Sequence, residues 1–204
     1  MTALRLVVTG CGASGTGWAA RALTLAGLPC GHEAVYQNVG VQPARFEAES
    51  SWCAIPYLVD HSRVVRLVRN PLHVVRSALR LSGGEFLADH PTDPRSTEFV
   101  RRHAPHLFAL PDRLARVVSW VACWDTPVAA CPTVRVEDGP EALAIMLDVA
   151  GVTPTADLDT VCAEVGDQVN THDPDQSIGW PDLYNVPYAT ALILRAAHLG
   201  YDLP

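Results

Sequence analysis

Apolar positions along this chain follow two periods. The run Leu4 to Val8 reads as a buried strand, and Trp18 to Ala26 carries helical spacing. Val64 to Val68 reads as another buried strand, after which Asn70 suits a helix cap and Pro71 the first helical position. Asp112 to Trp124 is helical in period, Thr133 to Val136 is a short strand, and Pro140 to Val149 is a further helix. Leu28 to His32, interrupted by Pro29 and Gly31, does not read as a strand. Residues 83–111 hold Gly83-Gly84 and four prolines without clean periodicity, which predicts loops and short helices. Strands alternating with helices predict a three-layer α/β fold, a central parallel sheet of about four or five strands flanked by helices.

A chain of 204 residues is long enough for one domain, 1–204, with a full core. Its formal net charge of −7 argues against a nucleic-acid groove or an anionic membrane surface as partner. No apolar stretch approaches the roughly 20 residues that span a bilayer, and the N-terminus opens a strand rather than a leader, so a cytoplasmic protein is expected. Six scattered cysteines without a Cys-x-x-Cys pair read as reduced residues; Cys11 reads as a small residue lining its loop. His90, His103 and His106 lack a further ligand at fixed spacing, so no metal is expected. The alanine- and arginine-rich composition is of the kind found in GC-rich bacterial or phage genomes.

The chemistry starts between the first strand and the first helix, at Gly10-Cys11-Gly12-Ala13-Ser14-Gly15-Thr16-Gly17-Trp18. Glycines let several backbone N–H groups aim at one anion, and the helix N-terminus adds partial positive charge there. Three loop types compete. A nucleotide triphosphatase loop requires a lysine where Thr16 stands, and the chain contains no lysine at all. A dinucleotide fingerprint is matched by Gly10, Gly12 and Gly15, with Glu33 at the distance of the ribose-binding acid, but it needs a second strand before that acid.

The third type fits best. Ser14-Gly15-Thr16-Gly17-Trp18 resembles the phosphosulfate loop of sulfotransferases that use 3′-phosphoadenosine 5′-phosphosulfate. The segment from Val64 through Arg69-Asn70-Pro71 to Ser77 resembles that family's 3′-phosphate motif, with serine eight residues after the arginine. Arg135-Val136-Glu137-Asp138, Ala150-Gly151-Val152 and Leu199-Gly200-Tyr201 resemble later scaffold segments, so the likeness extends over nearly the whole chain. It implies a P-loop-like fold in which Gly12, Ala13, Ser14, Gly15, Thr16, Gly17 and Trp18 hold the phosphosulfate. Arg69 and Ser77 would hold the 3′-phosphate, with no metal required. Residues 83–111 would cover the acceptor site, and residues 169–180 would close over the nucleotide.

The same resemblance implies a base soon after the first helix. Glu33 is the first choice and His32 its rival, by position closest to the bacterial and tyrosylprotein-type branches with a glutamate base. One departure stands out: where the family usually has lysine or arginine before the Ser-Gly-Thr core, this chain has Ala13. Losing one preorganised donor of that kind costs about 3–4 kcal/mol of transition-state stabilisation. Arg21, Arg45 and a side chain of the loop 169–180 are the candidate replacements. The expected activity is sulfuryl transfer to an acceptor hydroxyl on a small molecule or carbohydrate. The alternatives are a non-catalytic nucleotide-binding or interaction domain and, less favoured, a small-molecule kinase.

Overall fold

The computed structural model describes residues 4–80, 87–88, 93–166 and 178–203. In chain order these form β1 (Leu6–Thr9), α1 (Thr16–Leu25), β2 (Cys30–His32), β3 (Tyr36–Gln37), β4 (Gly40–Val41), β5 (Ala48–Ser50), a 3-10 helix (Trp52–Tyr57) and β6 (Val64–Val68). Then come α2 (Pro71–Arg80), α3 (Pro94–His103), α4 (Arg113–Cys123), β7 (Thr133–Arg135), α5 (Pro140–Ala150), α6 (Leu158–Gly166), α7 (Trp180–Leu183) and α8 (Ala189–His198). The chain divides into two compact units, Met1–Arg69 with Pro127–Thr171, and Asn70–Thr126 with His172–Pro204.

The first unit is built on a five-stranded, wholly parallel sheet in the order β2-β5-β1-β6-β7, flanked by helices, as the alternation of strands and helices predicts. Leu6 and Val8 of β1 point to one face, where they join Leu23 of α1, Leu143 and Leu147 of α5, and Val161 and Val165 of α6 in the core. Full burial of each such side chain stabilises by about 1.5–3 kcal/mol. Helix α1 starts at Thr16, two residues before the apolar pattern does, because Gly15 in the left-handed region (φ +103°) ends the loop there.

Two strands differ from the sequence expectation. Cys30–His32 is a strand after all: it lies at the sheet edge, pairs only with β5, and at three residues needs no apolar run. β5 itself, Ala48-Glu49-Ser50, is hidden in the sequence by two polar residues that the fold nevertheless buries. With β2 present, the dinucleotide reading loses the objection first raised to it and meets a stronger one. Dinucleotide folds place the second strand beside the first in the order 3-2-1-4-5-6. Here β5 separates β2 from β1, so the acid after β2 is not delivered to the strand next to the glycine loop.

In the second unit α4 packs against both α2 and α8. Its helices α2, α3 and α4 are capped by side chains: Asn70 Oδ1 accepts from Leu72 N at 3.0 Å, Asp93 Oδ1 from Ser96 N at 3.2 Å, and Asp112 Oδ1 from Ala115 N at 2.8 Å. The described part of 83–111 is helical at α3, whose Phe99 ring lies 6.0 Å from that of Trp124. Asp125 is fully buried and receives both terminal nitrogens of Arg195, Nη2 at 2.6 Å.

Removing one partner of a buried ion pair strands the other, at about 3–5 kcal/mol. Arg195→Met is therefore expected to lower the unfolding free energy by that amount in guanidinium titrations, and the double variant Arg195→Met, Asp125→Leu to recover most of it. A single-variant loss below about 1 kcal/mol, the scale of exposed pairs, would show that the pair is a solvated one.

Candidate functional site

The C-terminal ends of parallel strands are where ligands of open α/β sheets bind. At the end of β1, Thr9 Oγ1 donates to the carbonyl of Ser51 at 2.7 Å, tying the ends of β1 and β5 together. The chain then turns tightly, with Ser14 N donating to Cys11 O at 3.0 Å and Ala13 at φ +66°. A Cβ on Gly10 would sit 2.1 Å from the Leu67 carbonyl oxygen of β6, and one on Gly15 would sit 2.9 Å from Val136 Cγ2. The loop is thus pressed onto the ends of its neighbouring strands, which only glycine at those two positions allows.

No side chain caps α1. The first N–H groups of a helix have no intrahelical acceptor, so those of Thr16, Gly17 and Trp18 are available at the loop. Ser14 is buried, and its hydroxyl has no hydrogen-bond partner among the described residues. An unsatisfied buried hydroxyl costs about 1–3 kcal/mol unless a ligand completes it. Unpaired donors, a helix N-terminus and an orphaned hydroxyl together make a candidate anion site. The residues present fit a phosphate or phosphosulfate group on that ground.

Structure brings three of the residues singled out above together. His32 ends β2, and its Nε2 lies 3.2 Å from Thr16 Oγ1 and 3.6 Å from Glu33 Oε1. Glu33 adopts φ +52°, and its N–H donates to Ser50 O at 3.1 Å. Ser50 Oγ in turn donates to the carbonyl of Thr16 at 2.8 Å, locking the start of α1 to β5. Both His32 and Glu33 keep their side chains partly exposed, so a proton acceptor stands at the edge of the anion loop and within reach of a ligand.

Sequence reasoning reaches Glu49 only as the first residue of 49–58, a segment expected to line the acceptor pocket, and gives it no role of its own. It is fully buried on β5; its Oε1 accepts from Ala34 N at 2.8 Å and Val35 N at 3.1 Å, while Oε2 has no hydrogen-bond partner among the described residues. Burial raises its pKa against the opposing pull of the backbone N–H bonds, and the charge of Glu33 adds to the rise. Burial, then the Glu49 charge, likewise raises Cys30 and Tyr36. The carboxylate thus pins the turn that carries Glu33. Nothing in the sequence marks it, because the strand that holds it was itself unreadable.

The remaining candidates separate. Arg69 follows β6, half-buried and with no hydrogen-bonded or ionic partner among the described residues. Ser77 lies half-buried on α2 of the second unit. Arg21 is directed to Glu164 of α6 at 3.9 Å, whereas Arg45 lines a cavity with Ala34 and Phe46. Arg135 is bonded to Asp138 at 2.9 Å, a scaffold link. Cys11, Trp18, Trp52 and Trp180 are buried, and Tyr57 stacks on Tyr36 with ring centroids 6.2 Å apart. His103 lies 4.8 Å from the Phe99 ring, and His106 lies 6.4 Å from that of Tyr188. No group of three His, Cys, Asp or Glu side chains converges among the described residues. Gly83, Gly84, His90, Asn170, Thr171 and Ser177 lie outside those residues.

The raised pKa of Glu49 has a consequence for stability. The folded protein keeps this proton at a pH where the unfolded chain has lost it, so its contribution is full below the ordinary value of 4.5 and is lost as pH rises through the folded pKa. Glu49→Gln keeps an oxygen acceptor for Ala34 and Val35 without the charge. Its melting temperature relative to the wild type is expected to climb between about pH 4 and pH 8. Parallel curves across that range would mean that Glu49 titrates alike in both states.

Among the described residues no helix is long and apolar enough to cross a membrane. No protein-family model, curated protein or solved structure matches this chain, so the account of the site rests on its own residues.

Proposed function

We propose that this chain is a sulfotransferase that moves a sulfuryl group from 3′-phosphoadenosine 5′-phosphosulfate to an acceptor hydroxyl. The observation that carries the reading is the contact between the two halves of the chemistry: His32 Nε2, 3.2 Å from Thr16 Oγ1, sets a proton acceptor beside an anion loop whose Ser14 hydroxyl is orphaned. The absence of lysine disfavours a kinase, which would need one against the transferred phosphate.

Each residue has a definite task in this reading. Backbone N–H groups of Gly12 to Trp18 and the Ser14 hydroxyl hold the phosphosulfate, and Arg69 takes the 3′-phosphate with its planar fork. The His32–Glu33 pair accepts the acceptor's hydroxyl proton. As the new oxygen–sulfur bond forms, the bond from sulfur to the 5′-phosphate oxygen breaks, and its electron pair leaves with adenosine 3′,5′-bisphosphate. The loop donors and the α1 N-terminus stabilise the charge on that departing oxygen. His32 stands closer to the loop than the sequence reading implies, and the two residues act as one unit in which Glu33 steadies the imidazolium.

Ala13 supports a second reading, in which the nucleotide binds and is not turned over. It occupies the position of the family's basic residue, and Arg21 is turned toward α6.

Adenosine 3′,5′-bisphosphate at about 100 times its Kd should stabilise the fold by ~2.7 kcal/mol, read as a thermal shift. ATP with magnesium and NAD should give less, and Arg69→Ala should abolish the response. With sulfur-labelled donor, His32→Asn and Glu33→Gln are each expected to lower kcat by about 10²–10⁴-fold. Bisphosphate binding with no turnover on any acceptor would favour the second reading, and absence of bisphosphate binding would remove both.

A further inference from the structure

A cavity of about 390 Å³ begins at Ala34, the residue after Glu33, and is otherwise lined by Gln37, Gln42, Pro43, Arg45 and Phe46. Its size falls within the ~300–1,000 Å³ of small-molecule sites. The described lining holds one guanidinium, two carboxamides and one phenyl ring, and no acid. Arg45 is exposed and has no hydrogen-bonded or ionic partner among the described residues, while Glu47, the nearest acid along the chain, is bonded to Arg5 at 3.1 Å. The walls are fixed: Gln37 Nε2 donates to Ala34 O at 3.4 Å, and Gln42 N donates to Val35 O at 2.7 Å. Phe46 packs over Gly31, where an added Cβ would come within 2.8 Å of its ring, yet it stays 41% exposed.

This lining discriminates by charge. An ammonium-bearing ligand would find no carboxylate in it. A wholly apolar one would leave the guanidinium and the Gln42 carboxamide unpaired, and unpaired polar groups are what polar sites reject. Guanidinium forks match planar carboxylates with two parallel bonds. One arginine balances one negative charge, which favours a carboxylate over a doubly charged phosphate in a neighbourhood that already holds Glu33 and Glu49. The exposed Phe46 face suits an aromatic or alicyclic body.

We propose that this cavity is the acceptor subsite and takes a hydroxylated carboxylic acid with an aromatic or alicyclic body, its carboxylate on Arg45 and its hydroxyl toward His32 and Glu33. The fate of the hydroxyl rests on the sulfuryl-transfer reading; binding of the acid does not.

The test compares 4-hydroxyphenylacetate with its neutral isostere 4-hydroxyphenylacetamide. Each is titrated against the full chain by saturation-transfer NMR, with and without adenosine 3′,5′-bisphosphate. The acid is expected to bind at least about tenfold more tightly than the amide. Arg45→Gln should erase that preference, and Arg63→Gln, on another exposed arginine, should preserve it. Equal binding of acid and amide, a preference that survives Arg45→Gln, or no binding of either at millimolar concentration would each overturn the proposal. The bisphosphate thermal shift, read on the same samples, separately decides whether the nucleotide reading stands.

Discussion

The backbone of Gly10 lies so close to the Leu67 carbonyl that a single added carbon would collide with it at 2.1 Å, and the ligand-facing end of the first unit depends on that approach. It brings the loop after β1 down onto the end of β6, so the chain has to turn at once rather than rise into solvent. The turn is completed by Gly15 in the left-handed region, itself hemmed in by Val136 beyond β7. Helix α1 must therefore begin at Thr16 with its first N–H groups facing the strand ends. From this one steric constraint follow both the anion site and the position of Thr16, which the contacts with His32 and Ser50 then use.

The second half of the site is held by hydrogen bonds rather than by close packing. β2 is a three-residue edge strand whose own pairing is weak, and the turn after it places Glu33 at a positive φ, unfavourable for a side-chain-bearing residue. Such a conformation persists only when its surroundings over-determine it. Glu49 supplies that determination from within the sheet, accepting two successive N–H groups of the turn, while Ser50 O holds the Glu33 N–H from the adjacent register position. The cost is a buried carboxylate whose second oxygen has no hydrogen-bond partner among the described residues.

Legibility from the sequence follows the same division. The long apolar segments announced themselves: Val64 to Val68, the α2 helix behind its Asn70 cap, and the α4 and α5 helices stand where period and capping chemistry put them. The glycine loop was readable because close backbone approach leaves a residue-type mark. β5 and β2 were not, since a three-residue strand gains its stability from neighbours far away in the chain, and buried Glu49 and Ser50 reverse the polarity that marks a strand. Thr16, His32 and Glu33 were each legible as candidates, but their meeting depends on β5 standing between β1 and β2, a fact of sheet order that no local pattern carries.

That sheet order also bears on the missing basic residue at Ala13. In a chain of net charge −7 the overall field does not attract an anion, so under the proposed reading a phosphosulfate would be held by dipoles and by arginines placed close by. Five parallel strands deliver their C-terminal ends to one edge, and at that edge Arg69 alone of the two following arginines has no partner among the described residues; Arg135 is already bonded to Asp138. In that reading the fixed donors of the loop would need no reorganisation as charge develops, which is where electrostatic catalysis gains most. The burden of charge stabilisation would then shift, in the same reading, from one flexible cation to the backbone of the loop and the N-terminus of α1, with Arg69 kept for the 3′-phosphate.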